Sequence, residues 1–487
     1  MLQKIIILLM DSKRNKFLFF LLIGGLILLV SNNYGMFDDD ILFGSKMGNQ
    51  LYYNSLFNWN MPDSFDPGHP PFLAFILSIF WRIFGHYLWV SHLAILPFVV
   101  GFFYQLHNFI SYFIKSKILC FFAFLLIIID PSLSTCFVLV NMEIITLFFF
   151  FLTLNGIFYC HKNIKFIGLF FLSIVSYRSM MLFGGLFLFD VFNKLLFNKE
   201  KIKSISNNKF LSIYIFGCLP GVTFVIWRLL TKGWLQTHPN SPWSELWHFV
   251  DFKYFVRNFI VLIWRYLDFG RIFIMLFIIS SFLFFGKKIL LSKKNKQLLL
   301  LSICSILFIA ITILSVTNTV GIRYFIVSYI CLNFFAFLIL IQFFKNRKIV
   351  YTFLFLGLIT GNFWIYPKEI SQGWRATLGH IPYHSLRLEA IDYLNNEHIE
   401  VSEVGSFFPN YTTLDLIDFK KDQRTFAKFN GNNAYIFYSS VYNLSEEEHD
   451  LINNNYILLK QFHKFNTIIN IYIHKKHDFT RRKKNGS

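Results

Sequence analysis

Charged residues are scarce in this chain of 487 residues. They make up 15% of the sequence, whereas a soluble globular protein carries about 25%. Hydrophobic residues make up 55%, and the 65 phenylalanines exceed what a single water-facing core could bury. This composition excludes a soluble globular protein, a disordered chain, a coiled coil and a collagen. It predicts an α-helical polytopic membrane protein.

Cysteine is also rare, and the signatures of zinc and nucleotide enzymes are missing. The six cysteines lie in or beside apolar segments without metal-site spacing, so neither a disulfide framework nor a zinc site is expected. The chain has no G-x-G-x-x-G, no G-K-[ST] phosphate loop and no H-E-x-x-H, which argues against a recognised nucleotide or zinc enzyme. The net charge of +19 is scattered between apolar runs, which argues against nucleic-acid binding.

Apolar runs recur along most of the chain and predict about eleven transmembrane helices. A helix needs about 20 apolar residues to cross a bilayer, and several of the runs are shorter. Two further apolar pieces, 72–84 and 256–267, are predicted to lie at the membrane interface. The predicted spans are 17–33, 88–112, 118–130, 142–159, 166–177, 179–196, 210–230, 270–286, 298–316, 322–344 and 350–365.

The distribution of Lys and Arg predicts the orientation. Most of the 31 basic residues that precede Pro367 lie in one set of loops, which is therefore expected to be cytoplasmic. The long first loop, 34–87, and an aromatic loop, 231–255, then lie on the other side together with the C-terminal segment. The first span has no small-residue cleavage site after it and is expected to be an anchor. The Lys-, Asn-, Ile- and Phe-rich composition favours a bacterial plasma (inner) membrane.

The sequence changes character near Pro367, where short apolar and polar stretches begin to alternate. We predict a transmembrane domain over 1–366, a small non-cytoplasmic α/β domain over 367–476 and a basic tail over 477–487. Ser445, ahead of three glutamates, predicts a capped helix start. The predicted strands and helices of the domain are 400–408, 434–440 and 467–473, and 385–396 and 445–454.

Three consecutive aspartates, Asp38, Asp39 and Asp40, follow the first span. Adjacent carboxylates repel one another and are tolerated in water or around a cation such as Mg²⁺, and one of them can have a raised pKa. Because consecutive helical positions diverge by about 100°, at most one or two of the three can face a common cavity. The alternative is a hydrated cluster that only marks the point where the chain leaves the membrane.

Two further polar residues lie at the ends of apolar segments. His69 lies in Gly68-His69-Pro70-Pro71, whose prolines fix an extended entry into the piece 72–84. It either holds a phosphate or a sugar hydroxyl or is only part of a helix start. Glu143 begins a span with no lysine nearby, and an unpaired acid in a membrane is a functional candidate. The alternative for Glu143 is a hydrated acid at the interface.

Five arginines lie near the non-cytoplasmic edge of the predicted spans. Guanidinium groups suit phosphate oxygens. For any single arginine, snorkelling to the interface or pairing with Asp268 or Glu245 is the plainer alternative. The five are Arg178, Arg228, Arg265, Arg271 and Arg323.

The order of these motifs resembles a known family. The acidic motif after the first span is followed about thirty residues later by His69-Pro70-Pro71, then by an apolar helix ending at Phe84-Gly85 and a long span. This order resembles the GT-C membrane glycosyltransferases, and within them the glycosyltransferase 39 and protein O-mannosyltransferase type, which includes the lipid A aminoarabinose transferases. The likeness extends to the Asp130-Pro131 turn, Asn141-Met142-Glu143, Gly321-Ile322-Arg323-Tyr324 and the polar domain after the last span.

The resemblance implies inverting transfer of a sugar from a polyprenyl-phosphate donor to a hydroxyl of a glycan, lipid or protein acceptor on the periplasmic face. The family's first-loop carboxylate is the base, and this role falls to Asp39, with Asp40 and then Asp38 as substitutes. Glu143 occupies the place of the family's second acid. Members generally work without a metal, so no cofactor is expected, although the aspartates leave a divalent cation open. The expected substrate-binding residues are His69, Arg178, Arg323 and Tyr324.

Two other classes of protein compete with this interpretation. A transporter or flippase for a lipid-linked glycan would carry charges deep inside its spans and often show inverted repeats with broken helices. Here the charges gather at one edge and no internal repeat is evident. A scaffold whose C-terminal domain binds a partner is the other alternative. Transfer is favoured because it needs a carboxylate near the attacking oxygen and positive charge near the leaving group.

Overall fold

The structure, a computed structural model, describes residues 11–205, 207–236, 238–240, 246–317, 320–367, 370 and 372–477. These residues form a body of apolar helices followed by a smaller α/β domain, as predicted. Trp243 and Glu245 of the aromatic loop and the tail from residue 478 lie outside the described residues.

A helix of the body begins within five residues of the start of every predicted span, and further helices lie between the spans. They are α1 Lys13–Ser31, α2 Met47–Tyr53, α3 Phe72–Phe84, α4 Leu88–Phe113, α5 Lys117–Ile128, α6 Pro131–Val138, α7 Met142–Phe158, α8 Lys162–Val175, α9 Tyr177–Phe192, α10 Ile202–Ile205, α11 Asn208–Lys232, α12 Phe252–Leu267, α13 Arg271–Leu291, α14 Lys293–Ser315, α15 Ile326–Phe343 and α16 Arg347–Thr360.

Within the described ranges, seven helices are long and apolar enough to cross a membrane, or eight if the bent pair α5–α6 is one span. The helix α7 has 17 residues, and α8 and α16 have 14 each. The prediction of a polytopic helical protein is therefore confirmed, whereas the count of eleven spans stays a prediction. The two predicted interfacial pieces are the helices α3 and α12.

The Asp130-Pro131 element begins a helix, which is more than the turn that the sequence suggested. Pro131 occupies the first helical turn of α6, where a missing N–H is tolerated. Asp130 caps this helix by accepting a hydrogen bond from the Ser132 amide at 3.0 Å. It also pairs with Arg271 Nη1 at 3.1 Å and accepts from Asn333 at 3.1 Å. These contacts fix an angle of 82° between α5 and α6.

The C-terminal domain carries a five-stranded mixed sheet. The strands follow the order β2-β1-β3-β5-β4. β1 is parallel to β2 and β3, and β5 is antiparallel to β3 and β4. The elements are α17 Ile381–Asn396, β1 Val404–Ser406, α18 Asp415–Asp418, β2 Ala427–Lys428, β3 Tyr435–Ser439, α19 Glu446–Asn455, β4 Tyr456–Lys464 and β5 Thr467–His474.

Most of this domain was predicted. The three predicted strands and both predicted helices are present, although β1 is shorter than expected. The capping box also forms: Ser445 Oγ accepts from the Glu448 amide at 3.2 Å, and Glu448 accepts from the Ser445 amide at 2.8 Å. β2 and β4 were not predicted.

The domain and the first loop share an apolar core. Phe37 of the first loop and Leu139, which follows α6, belong to the buried cluster of the C-terminal domain. The Phe37 ring lies 4.9 Å from the ring of His380 and 5.6 Å from that of Tyr383. The aspartates that follow Phe37 are therefore held between the helical body and the domain.

Candidate active site

The three aspartates lie in a tight turn that leads into a π-helical segment, Ile41–Lys46. Asp38 has a positive φ of 56°. The carbonyl of Asp39 accepts hydrogen bonds from the amides of Leu42 and Phe43, both at 2.9 Å. In this turn Asp38 and Asp39 line a cavity, whereas Asp40 is not among the lining residues and is 1% exposed.

Glu143 and two arginines form one side of the site. The side chain of Asn141 caps α7 and places Glu143 in its first turn. Glu143 Oε1 lies 3.1 Å from Arg178 Nη1 and 3.4 Å from Arg323 Nε. Arg323 also donates a hydrogen bond to Asp39 Oδ2. The expectation that Glu143 is unpaired is therefore wrong, because two guanidinium groups neutralise its charge.

A third arginine, Arg375, contacts the aspartates from the domain side. It lies in the turn Trp374–Ala376, which connects the last helix of the body to the domain. Its Nη2 is 2.5 Å from Asp40 Oδ1. Its Nη1 is 3.5 Å from Asp39 Oδ2 and 3.7 Å from Asp38 Oδ2. Acids and arginines thus alternate along one series of contacts, which we call the chain of charges. Its order is Arg178, Glu143, Arg323, Asp39, Arg375 and Asp40.

The three neighbouring carboxyl groups differ in their affinity for a proton. Burial raises the pKa of Asp40 to about 8. Burial and the charge of Asp39 raise the pKa of Asp38 to about 6. Burial also disfavours the charged form of Asp39, but Arg323 and Arg375 outweigh it and hold the pKa of Asp39 below its usual value. At neutral pH Asp39 is therefore ionised beside a protonated Asp40.

His69 lies at the cavity wall next to the aspartates. Its ring packs edge-on against Phe43 at 5.3 Å, and its Nδ1 accepts from the Tyr177 amide at 3.4 Å. Burial, reinforced by the charge of Arg178, lowers the pKa of His69 to about 3, so the ring is neutral. His69 can therefore donate to a ligand through Nε2–H but cannot supply a positive charge.

The cavity beside this chain of charges has a volume of about 570 Å³. The C-terminal domain supplies one wall, in which Phe408 and Tyr411 are 44% and 36% exposed. In the wall that the helical body supplies, the Arg178 guanidinium stacks on the ring of Tyr324 at 4.4 Å. Every predicted site residue except Asp40 and Glu143 lines this cavity, namely Asp39, His69, Arg178, Arg323 and Tyr324.

The other predicted arginines have different partners. Each forms an ion pair outside the chain of charges, but only Arg265 pairs with a partner, Asp268, that was named from the sequence. Of these three only Arg265 lines the cavity. The pairs are Arg228 with Asp66 at 3.1 Å, Arg265 with Asp268 at 3.3 Å and Arg271 with Asp130 at 3.1 Å.

The aspartate cluster contains cationic side chains in place of converging metal ligands. In the part of the chain that the structure describes, no group of three or more His, Cys, Asp and Glu side chains could hold a metal ion. Arg375 instead supplies the positive charge that the three carboxylates face.

The fold, a body of apolar helices with a long first loop and a C-terminal α/β domain, is similar to two solved structures. The chain is similar to ArnT from Cupriavidus metallidurans in its crystal structure bound to undecaprenyl phosphate. The TM-score is 0.51 at 9% identity, over 94% of this chain and 98% of that one. The crystal structure of apo ArnT from the same organism is as similar, with TM-score 0.51 at 9% identity over 93% and 97%.

Similarity at this identity shows the fold alone. It confirms the predicted fold class and the resemblance to the GT-C fold that the sequence motifs suggested. No protein family model and no curated protein sequence matches the chain.

Proposed function

We propose that this protein is an inner-membrane glycosyltransferase that moves a sugar from a polyprenyl-phosphate donor to an acceptor hydroxyl on the periplasmic face. The observation that carries the proposal is the alternation of acids and arginines along one cavity. Glycosyl transfer needs a base for the attacking hydroxyl and positive charge for the departing phosphate, and this arrangement supplies both. The ArnT crystal structure with undecaprenyl phosphate supports this choice of donor.

Asp39 is the base in this proposal. It lines the cavity and is ionised at neutral pH, whereas Asp40 is buried outside the cavity. Both guanidinium contacts of Asp39 reach Oδ2, so Oδ1 is the oxygen that accepts the proton. The acceptor oxygen attacks the anomeric carbon as Oδ1 takes its proton, and the bond from that carbon to the phosphate oxygen breaks with inversion. Asp38 is the substitute because it also faces the cavity.

Arg178 and Arg323 hold the phosphate of the donor in this proposal. Both line the cavity and also a narrow apolar crevice between α7, α9, α14 and α15. A lipid-linked phosphate needs positive charge at the point where the prenyl chain leaves the bilayer, and a guanidinium fork matches its oxygens. Tyr324 keeps Arg178 in place through the stacked ring. The neutral His69 donates to a sugar hydroxyl.

The acceptor enters from the side of the C-terminal domain in this proposal. The partly exposed rings of Phe408 and Tyr411 line the cavity there. Aromatic faces with a few polar groups suit the binding of a small organic molecule. The acceptor is a glycan, a lipid or a protein side chain.

The test is the substitution Asp39→Asn in the reconstituted full chain. Loss of a general base is expected to slow transfer at least about 100-fold. The substrate is a radiolabelled undecaprenyl-phosphate sugar, with cell-envelope membranes as the source of acceptor, and the measurement is label transferred. Asp422→Asn, at a surface ion pair in the C-terminal domain, is the matched control.

Full transfer by Asp39→Asn would contradict the assignment of the base. Movement of intact donor across the bilayer, without cleavage of its glycosyl bond by the wild type, would contradict transfer itself. That second result would identify a flippase.

A further inference from the structure

Arg375 is anchored from both sides of the site. Gln372, three residues before it, accepts from the amide of Tyr366, six residues beyond the last helix of the body, at 2.8 Å. The backbone of Gln372 also exchanges hydrogen bonds with Asn443 of the domain at 2.9 and 3.2 Å. Trp374 is 5% exposed in the domain core. The position of Arg375 is therefore fixed by the docking of the domain on the body.

The guanidinium of Arg375 keeps unused donors although its side chain is 9% exposed. Nη2 donates to Asp40, but Nη1 and Nε have no hydrogen-bond partner among the described residues. Nη1 lies 3.5 Å or more from the oxygens of Asp38 and Asp39, which is charge attraction without a hydrogen bond. Buried donors without a partner are destabilising, and a nearby cavity wall is where a ligand would satisfy them.

The contacts of Asp39 connect this unused donor to the reaction. Oδ2 of Asp39 is the atom that both Arg323 and Arg375 face. When Asp39 takes the proton of the acceptor, it loses the charge that attracts the two guanidinium groups. In the same step the carrier phosphate loses its ester to the sugar and gains a second negative charge.

We infer that Arg375 binds the phosphate of the carrier lipid, donating from Nη1 to a phosphate oxygen once Asp39 has lost its charge. This inference rests on the proposed function and adds a residue of the C-terminal domain to the phosphate site. Asp40 orients the guanidinium through Nη2 and so leaves Nη1 free for the ligand. The raised pKa of Asp40 supports the arrangement, because a protonated Asp40 leaves three arginines facing three ionised acids before the phosphate binds.

Binding of undecaprenyl phosphate to the purified full chain tests the inference without an acceptor. Asp39→Asn imitates the protonated base and is expected to tighten binding roughly 10-fold, because a competing carboxylate is removed. Arg375→Gln is expected to weaken binding roughly 10- to 100-fold, the effect of one hydrogen bond to a charged group. In the double variant the gain from Asp39→Asn is expected to shrink to the part that Arg323 supplies, because the guanidinium of Arg375 is missing.

Controls separate a specific contact from general charge or misfolding. Arg424→Gln removes an arginine of the same domain that pairs with Asp422 and is 41% exposed, and it is expected to leave binding unchanged. Arg375→Lys keeps the charge without the planar fork of the guanidinium. It is expected to recover part of the affinity for undecaprenyl phosphate that Arg375→Gln loses. It also serves as the test if Arg375→Gln fails to fold. Inorganic phosphate is a second probe. It is expected to bind more weakly than undecaprenyl phosphate, with the variants in the same order of affinity.

The outcomes distinguish the two proposals. If the wild type does not bind undecaprenyl phosphate, the proposed donor is wrong. If the wild type binds it and both Arg375 variants bind equally well, the inference is overturned while the proposed function stands. A gain from Asp39→Asn that is just as large in the double variant also overturns it, since Arg375 would then contribute nothing to the gain. If the Arg375 variants bind inorganic phosphate as well as the wild type does, a contact between Arg375 and a phosphate oxygen is contradicted.

Discussion

Gly68 fixes the approach of the first loop to the segment after α11. It has a positive φ of 83°, and a Cβ at this position would lie 2.5 Å from the carbonyl oxygen of Leu235 and 2.9 Å from Cα of Gln236. Asp66 Oδ1 accepts from the Gly68 amide at 2.9 Å and so holds the turn. Only glycine combines this backbone conformation with this contact, and His69 is the next residue.

Gly68→Ala is therefore expected to destabilise the protein by about 1–3 kcal/mol through backbone strain. It is also expected to lower donor turnover, because His69 would move away from the Tyr177 amide. The measurements are thermal unfolding in detergent and turnover of the undecaprenyl-phosphate sugar. Gly25→Ala in α1 is the matched control, since a Cβ there meets nothing within 4 Å. Equal behaviour of the two variants would contradict the role of the turn.

Five of the six residues in the chain of charges were named from the sequence, and Arg375 was missed. Asp39, Glu143 and Arg323 lie at the ends of apolar runs, where an isolated charge is conspicuous. Arg375 lies in a coil of mixed composition without such a background. Its contact with Asp40 joins residues 335 positions apart, and only the docked fold reveals it.

The helix α17 meets the first loop through buried imidazoles. His384 stacks on Tyr34 at 5.0 Å, and His380, which is 0% exposed, stacks on Phe37. Nδ1 of His380 donates to the Thr377 carbonyl at 2.7 Å, while Nε2 is buried without a partner among the described residues. Burial lowers the pKa of His380 to about 4 and that of His384 well below its usual value. Both rings are therefore neutral in the docked domain.

Acid is expected to weaken this contact. An unfolded histidine takes up a proton near pH 6.5, whereas folded His380 does so near pH 4. The contribution of neutral His380 to the free energy of unfolding is therefore fully present above pH 6.5 and is lost as the pH drops towards 4. His380 alone accounts for about 2 kcal/mol at pH 5. Thermal unfolding of the full chain between pH 7.5 and 5 measures this loss of stability. His380→Gln is expected to flatten the plot of unfolding temperature against pH, whereas His463→Gln on exposed β4 is the control and is not. Equal slopes for the two variants would contradict the assignment of this pH dependence to His380.

Secondary structure was predictable where one signal dominated. Long apolar runs located the helices of the body, and Ser445 located the start of α19. The helix α6 was missed because it has eight residues and a mixed Ser, Thr and Cys composition, so Asp130-Pro131 indicated only a turn. β4 was missed because its apolar and polar side chains do not alternate, and its pairing with β5 rather than its pattern makes it a strand.

The body and the domain are expected to work as one unit. Truncation after Pro367 removes Arg375 and uncovers Phe37 and Leu139, which are 3% exposed in the full chain. We expect the truncated body to lose transfer and to bind undecaprenyl phosphate more weakly. A shorter truncation after His477 removes only the basic tail and is the control. Normal transfer by the body alone would favour a separable domain of the scaffold type.

Two short helices have a consequence for the surrounding lipid. α8 and α16 have 14 residues each, which gives a length of about 21 Å against a hydrocarbon thickness of about 30 Å. Ile167, Phe170 and Phe171 on α8 are 46%, 37% and 36% exposed, so this helix faces acyl chains. If α8 crosses the membrane as predicted, the bilayer is expected to become thinner along that edge, which lowers the headgroups there. Under the proposed function, a carrier lipid that diffuses along this thinner edge would arrive with its phosphate near the depth of Arg178, just beyond the end of α8.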